Sequence, residues 1–213
     1  IYFDNNQLPL KLSPTEWKLA TSRSEMEIHM NTTDNLEQFL PILRTSSIFS
    51  GMSDSEILSV LHCMGAFVSD KEKDSYLLRA GDMTSTMGLL LSGSAIVIQE
   101  DVWGHRNIMA QILPGQTFAE PFAASNGTAL NISVVVTKDC SLLYLDIHRI
   151  LGVCPSACEH HTHLIQNLIS VLAKKLLLFN EKITHMSKRT TKEKLLSYLS
   201  AEAQRQGSLS FDI

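Results

Sequence analysis

Between Glu159 and Lys188 the apolar side chains recur in steps of three and four. Ile165, Leu168, Leu172, Leu176, Phe179, Ile183 and Met186 make a helical stripe close to a coiled-coil seam. A second row, Leu164, Val171, Leu177 and Leu178, runs beside the first. A helix with two apolar faces needs two partners. The Leu164/Val171/Leu178 row is read as the contact with the domain before it. The stripe from Ile165 to Met186 is read as a dimer interface with the same helix of a second subunit.

The rest of the composition narrows the classes available. With 213 residues, 44% of them hydrophobic, the chain can bury the core of one or two globular domains. A formal charge of −4 gives no overall nucleic-acid signature, so any basic surface must be local. Lysine and arginine do gather late, at Lys174–Lys175 and Lys188–Lys194. No apolar run approaches the ~20 residues of a membrane span, and no secretory segment opens the chain, so no membrane partner is expected. Cys63, Cys140, Cys154 and Cys158 are too sparse for a disulfide framework, which favours a reducing, cytoplasmic location. Residues 1–31 carry scattered apolar residues and two prolines before the pattern tightens. Ile1–His29 reads as a leader or expression remnant with Met30 as a natural start, against the alternative of a genuine N-terminal arm.

From Thr32 onward the signals are regular. Asp34 can cap a short helix holding Leu36, Phe39, Leu40 and Leu43, limited by Pro41. Phe49–Met52 reads as a turn, and Ser53 with Glu56 forms a capping box for a helix that buries Ile57, Leu58, Leu61 and Met64 and ends at Gly65. Within it, Cys63 reads as a core thiol and His62 as a surface imidazole. Seven short strands follow: residues 66–69, 75–78, 87–91, 94–99, 107–112, 132–136 and 141–145. Turn residues separate them at Ala80-Gly81-Asp82, Ser92-Gly93, Trp103-Gly104, Pro114-Gly115, Asn126-Gly127 and Lys138-Asp139. Short strands at this spacing predict a β jelly roll. Asp146 then caps a short helix, Pro155 opens the long one, and Thr190 or Thr191 caps another that closes at Gly207. Leu195, Leu196, Tyr198 and Leu199 make the apolar face of that last helix, and SLSFDI alternates as a strand.

This order of parts, with the stretch Ser187–Leu199 and the closing GSLSFDI, resembles the Crp/Fnr family of bacterial transcription regulators. The turn Arg79–Asp82, the segment Leu90–Ala95 and Leu113–Phe118 support the resemblance, which covers Thr32 to Ile213. It implies an α+β chain: an effector-sensing β-roll domain with N-terminal helices over residues 32–152, a dimerisation helix over 153–188, and the start of a winged helix-turn-helix domain over 189–213. The recognition helix would follow Ile213. Implied partners are a second copy, a DNA operator, a small-molecule effector and, for a regulator of this kind, RNA polymerase. Lys188, Arg189 and Lys192 would lie at the DNA backbone.

The resemblance also places a ligand site. Cyclic-nucleotide-binding relatives pair Gly-Glu with a later Arg-Ser; arginine and backbone N–H groups hold the phosphate, and glutamate takes the ribose. Here Phe118-Ala119-Glu120-Pro121-Phe122 keeps the glutamate, and Leu130-Asn131 stands where the arginine would be. Without that cation a cyclic nucleotide is disfavoured, and Phe118, Phe122 and Leu130 suit an apolar or aromatic effector. Gln166, Asn167 and Ser170, polar positions on the long helix, are the candidate contacts from helix to pocket. The bland alternative is a cavity filled by the chain's own side chains.

Cys154, Cys158, His160, His161 and His163 contain metal-ligand types at short spacing but match no zinc pattern, so no cofactor and no metal site are assigned. They read as buried thiols and solvated imidazoles, with a thiol- or metal-based redox sensor as the alternative. No catalytic constellation is found; Asp101 and His105 flank a hairpin tip without a nucleophile. A cupin-like enzyme would need histidines on the strands, which carry none. The chain is therefore expected to be no enzyme. The expected function is a homodimeric, allosteric DNA-binding regulator, with a sensor and dimerisation module lacking DNA binding as the alternative.

Overall fold

The computed structural model describes residues 33–101, 103–125, 127–152 and 159–207. Ile1–His29, Met30, Cys154, Pro155, Cys158 and the terminal Ser208–Ile213 segment lie outside the described residues. A 3-10 helix over Thr33–Phe39 leads into α1 (Leu40–Leu43), followed by a 3-10 turn at Ser47–Phe49 and helix α2 (Asp54–Cys63). The Ser53–Glu56 capping box starts α2: the Ser53 N–H donates to Glu56 Oε2 at 2.7 Å. Gly65, at φ +60, ends it. Ile57, Val60, Leu61 and Met64 are buried, Leu58 is partly so, and Cys63 is exposed rather than in the core.

The strands are β1 (Phe67–Lys71), β2 (Tyr76–Leu78), β3 (Thr86–Glu100), β4 (Arg106–Ile112), β5 (Thr117–Phe118) and β6 (Ser133–Asp146). They form one antiparallel sheet in the order β1-β6-β3-β4, with β2 also on β6 and β5 on β3. Its axis is the pairing of β3 with β6, from Thr86 opposite Asp146 to Ile98 opposite Ser133. Ser92-Gly93 and Lys138-Asp139 therefore do not separate strands, as the sequence suggested. They are irregularities inside two long ones, where the register shifts between Leu90 and Ala95. Gly93 sits at φ +82, and a Cβ there would lie 2.2 Å from the Asp139 carbonyl oxygen.

The long strands are apolar on both faces because both are covered. Met87, Leu89, Leu91, Leu143 and Leu145 point into a core shared with Leu43, Phe49, Ile57, Leu61 and Ile150 of the helical layer. Leu90, Ala95, Val134, Val136 and Leu142 point the other way, into the roll, with Ile112, Phe118 and Ala119. Helix α3 (Glu120–Ala124) follows β5. Helix α4 (Ile147–Leu151) is capped by Asp146, whose Oδ1 accepts from the His148 N–H at 2.8 Å.

Helix α5 (Glu159–Met186) starts in the helical core and leaves it. Leu164, Leu168 and Val171 are buried there, and Ile165 and Leu172 pack against it. Leu176, Leu177, Leu178, Phe179, Ile183 and Met186 are exposed. Helix α6 (Thr191–Gln206) opens on a Thr190–Glu193 capping box and is joined to α5 by Arg205, which bridges Glu181 and Glu202. The expected apolar face of α6 is open: Leu195, Leu196 and Tyr198 are exposed.

Candidate functional site

The loop from β5 into α3 is where the sequence placed a ligand. Ala119 caps α3 at φ +67, a left-handed conformation that glycine adopts freely and alanine does not. The backbone thus keeps the shape expected of a Gly-Glu turn after the glycine has gone. Phe118 is packed into the roll with its ring over Gly88, where a Cβ would meet ring carbon Cζ at 2.1 Å. Leu130 is also buried, and its backbone is clamped to the Arg79–Asp82 turn: the Gly81 N–H donates to Leu130 O and the Leu130 N–H to Asp82 O, both at 2.8 Å. Pro121 and Asn131 are exposed, and Phe122 is half-buried. Leu130 thus serves the roll's packing at the point where a phosphate-binding arginine was looked for.

Glu120 is 1% exposed, and its carboxylate has a partner that sequence reasoning missed. Lys175, from α5, places Nζ 2.7 Å from Glu120 Oε1 and donates also to the Thr117 carbonyl oxygen at 2.6 Å. The carboxylate is buried while its lysine is half-exposed, so the pair lies at the edge of the protein with water screening one side. Lys175 thus ties α5 to the segment Thr117–Phe122, the cassette formed by β5 and the start of α3.

Gln166, Asn167 and Ser170 do not take that role. Asn167 Nδ2 donates to the carbonyls of Ile48 at 3.0 Å and Ser50 at 2.9 Å, in the helical layer. Ser170 Oγ donates back to Gln166 O inside the helix. These residues lie on earlier turns, where α5 crosses the N-terminal helices.

One residue of the stripe read as a dimer interface lies inside the chain. Leu168 is 2% exposed and belongs to the chain's own core, because that turn faces α2 and the barrel. Ile169, passed over in the sequence, is 60% exposed. Ile165, Ile169, Leu172, Leu176, Phe179, Ile183 and Met186 then repeat in steps of four and three without a break. The second row divides as well: Leu164 and Val171 are buried in the chain's own core, whereas Leu177 and Leu178 are exposed.

Lys188, Arg189 and Lys192 are exposed at the joint between α5 and α6. His160 Nδ1 lies 3.2 Å from Glu56 Oε1, and His161 is buried. Among the described residues no three histidine, cysteine or acidic side chains come together as a metal set. Also among them, no helix is long and apolar enough to cross a membrane.

Comparison with known proteins adds what the roll is similar to. Residues 70–156 match the model of the cyclic nucleotide-binding domain. No curated protein sequence matches the chain. Among solved structures, the catabolite activator protein of Thermus thermophilus is 20% identical at a TM-score of 0.53, covering 76% of this chain and 72% of that one. A cyclic nucleotide-binding domain from Methylobacillus flagellatus is 16% identical at 0.61, covering 75% and 88%. The sensor domain of the transcriptional regulator DNR from Pseudomonas aeruginosa is 15% identical at 0.51, covering 70% and 94%. The antiparallel roll with its flanking helices is thus a cyclic nucleotide-binding-type domain, the fold shared by these sensor proteins.

Proposed function

We propose a DNA-binding, homodimeric transcription regulator of the Crp/Fnr type, allosterically controlled by a small effector that is not a cyclic nucleotide. The observation that carries this reading is the uninterrupted heptad row on α5: Ile165 and Leu172 pack partly against the chain's own core, and Ile169, Leu176, Phe179, Ile183 and Met186 are exposed. In heptad terms Ile169, Leu176 and Ile183 hold one core position and Ile165, Leu172, Phe179 and Met186 the other. Two β-branched residues at the first position favour two strands. A parallel pair of such helices carries the basic joint at Lys188, Arg189 and Lys192 to one end, beside a DNA backbone, on a two-fold axis suited to two half-sites. Transcription regulators among the fold's solved relatives support the same reading, although the fold alone serves several functions. The sites proposed here bind and transmit; none performs chemistry, so the chain is read as no enzyme. RNA polymerase is the further partner such a regulator would meet.

Sedimentation tests the helix. The wild-type chain is expected to run as a dimer and Ile169→Asp as a monomer with an intact barrel, because one charge in the seam opposes ~20–30 Å of apolar contact. Operator selection with the protein tests DNA binding, and its affinity is expected to fall with salt as phosphate contacts require. A monomeric wild type, or a protein with no selectable DNA site, would overturn the reading.

A further inference from the structure

Helix α5 is held to its own barrel by two different means. Its first half is fixed by apolar burial of Leu164, Leu168 and Val171. Its second half, where the large apolar side chains are exposed, reaches the barrel through lysines. Lys175 Nζ binds Thr117 O and Glu120 Oε1, and Lys182 Nζ donates to Met109 O of β4 at 3.3 Å. Lys175 and Lys182 are seven residues apart, hence on one face, about a quarter turn from the heptad row.

We propose that Lys175 is a tethered occupant of the cassette, and that the effector of this site is a small molecule bearing a primary ammonium, which takes Lys175's place and so frees the distal half of α5. The charge follows from burial. Glu120 is 1% exposed, whereas the Lys175 side chain is 43% exposed and can withdraw into water. Once it withdraws, the carboxyl either takes up a proton or meets another cation, and only the cation also refills the place that Nζ leaves beside the Thr117 carbonyl. A neutral hydroxyl leaves the charge uncompensated, and an anion adds to it. An ammonium restores both contacts, to the carboxylate and to the Thr117 carbonyl, without restoring the covalent tie to the helix. Filling the cassette and releasing the helix then become one event, a coupling between two sites through a single displaced side chain.

This inference rests on the preceding reading only in treating the cassette as the effector site. Its test uses the wild-type chain and variants without DNA, so the two can fail separately. Hydrogen exchange is read over residues 173–186, with 160–171 as the internal reference and 117–124 for the cassette. Lys175→Ala is expected to speed exchange over 173–186 by about tenfold or more while leaving 160–171 unchanged. Lys175→Met, which keeps the apolar stem, and Glu120→Gln are expected to do the same. n-Propylamine supplies the atoms that Lys175→Ala removes. At millimolar concentration its ammonium form should slow exchange at 117–124 in that variant, leave 173–186 loose, and have no effect in the Glu120→Gln/Lys175→Ala double variant. Three results would overturn the proposal: unchanged exchange over 173–186 in all three single variants, equal action of propylamine on the double variant, or equal action of propionate.

Discussion

Tyr144 shows how a single buried group sets a limit on the fold. Its ring stacks on Phe67 with centroids 5.2 Å apart, and burial pushes its phenol from 10.0 up to about 12, with Cys140 adding a smaller push. Burial also raises the thiol of Cys140, beside Asp70 and Asp139. A phenol raised in the folded state stabilises the fold fully below the unfolded value near pH 10 and loses that contribution as pH rises through about 12. The urea midpoint of the wild type should therefore fall over this window, and that of Tyr144→Phe should fall less. Equal alkaline losses in the two proteins would show that the phenol carries none of the effect. The cassette shows what single residues reveal in sequence. Glu120 and the lost glycine at Ala119 were legible because a turn and an acid stand side by side. Lys175 was not, because it lies 55 residues away and has the look of a solvated basic position. Gln166, Asn167 and Ser170 were chosen for polarity alone, and polarity does not say which turn of a helix passes the cassette.

Elements were legible where a local rule closes within four residues. The Ser53–Glu56 capping box stands where sequence put it, and of the two caps offered for the last helix Thr190 is the one used. The strands were harder, since a glycine bulge and a glycine turn share one signal. Gly93 and Asp139 meet across β3 and β6, so what reads as two reversals is one paired bend. Leu168 and Ile169 pose a similar problem: either residue continues a three-four spacing, and only the packing of the preceding domain decides that Leu168 is buried and Ile169 exposed. The first capping box yields a test at its own scale. Glu56's carboxyl is held below its ordinary range, first by the Ser53 backbone N–H, then by the Ser53 hydroxyl, with His160 and His163 adding charge. A depressed folded value means that the contribution is present above the unfolded value near 4.3 and lost as pH falls through the lower folded one. Glu56→Gln should flatten the acid side of the stability profile of α2, read by amide exchange over residues 54–63. An unchanged profile would mean that the box holds the helix without its charge.

At the scale of the whole chain, the fold puts one helix in contact with every part that matters. The first half of α5 closes the helical core, Lys175 closes the cassette, the distal heptad residues are left exposed, and Arg205 fastens α6 to its end through Glu181. Short-range pattern could show the helix and its apolar rows, but which neighbour each row meets depends on how the roll is folded beneath it. That arrangement also decides what a ligand must do to be felt. A molecule that binds only the folded state at one hundred times its dissociation constant adds about 2.7 kcal/mol, which shifts the melting temperature of a domain of this size by roughly 5–10 °C. Cyclic AMP brings a phosphate to a cassette in which Leu130 and Asn131 supply no cation, and a ribose to a glutamate that Lys175 already neutralises. Millimolar cyclic AMP should therefore leave the melting temperature unmoved in the wild type. Lys175→Ala should not create a response, because removing that lysine leaves the charge of Glu120 uncompensated and facing a phosphodiester. A shift of several degrees in either protein would mean that the phosphate finds another cation, and would return the roll to the cyclic-nucleotide class its fold suggests.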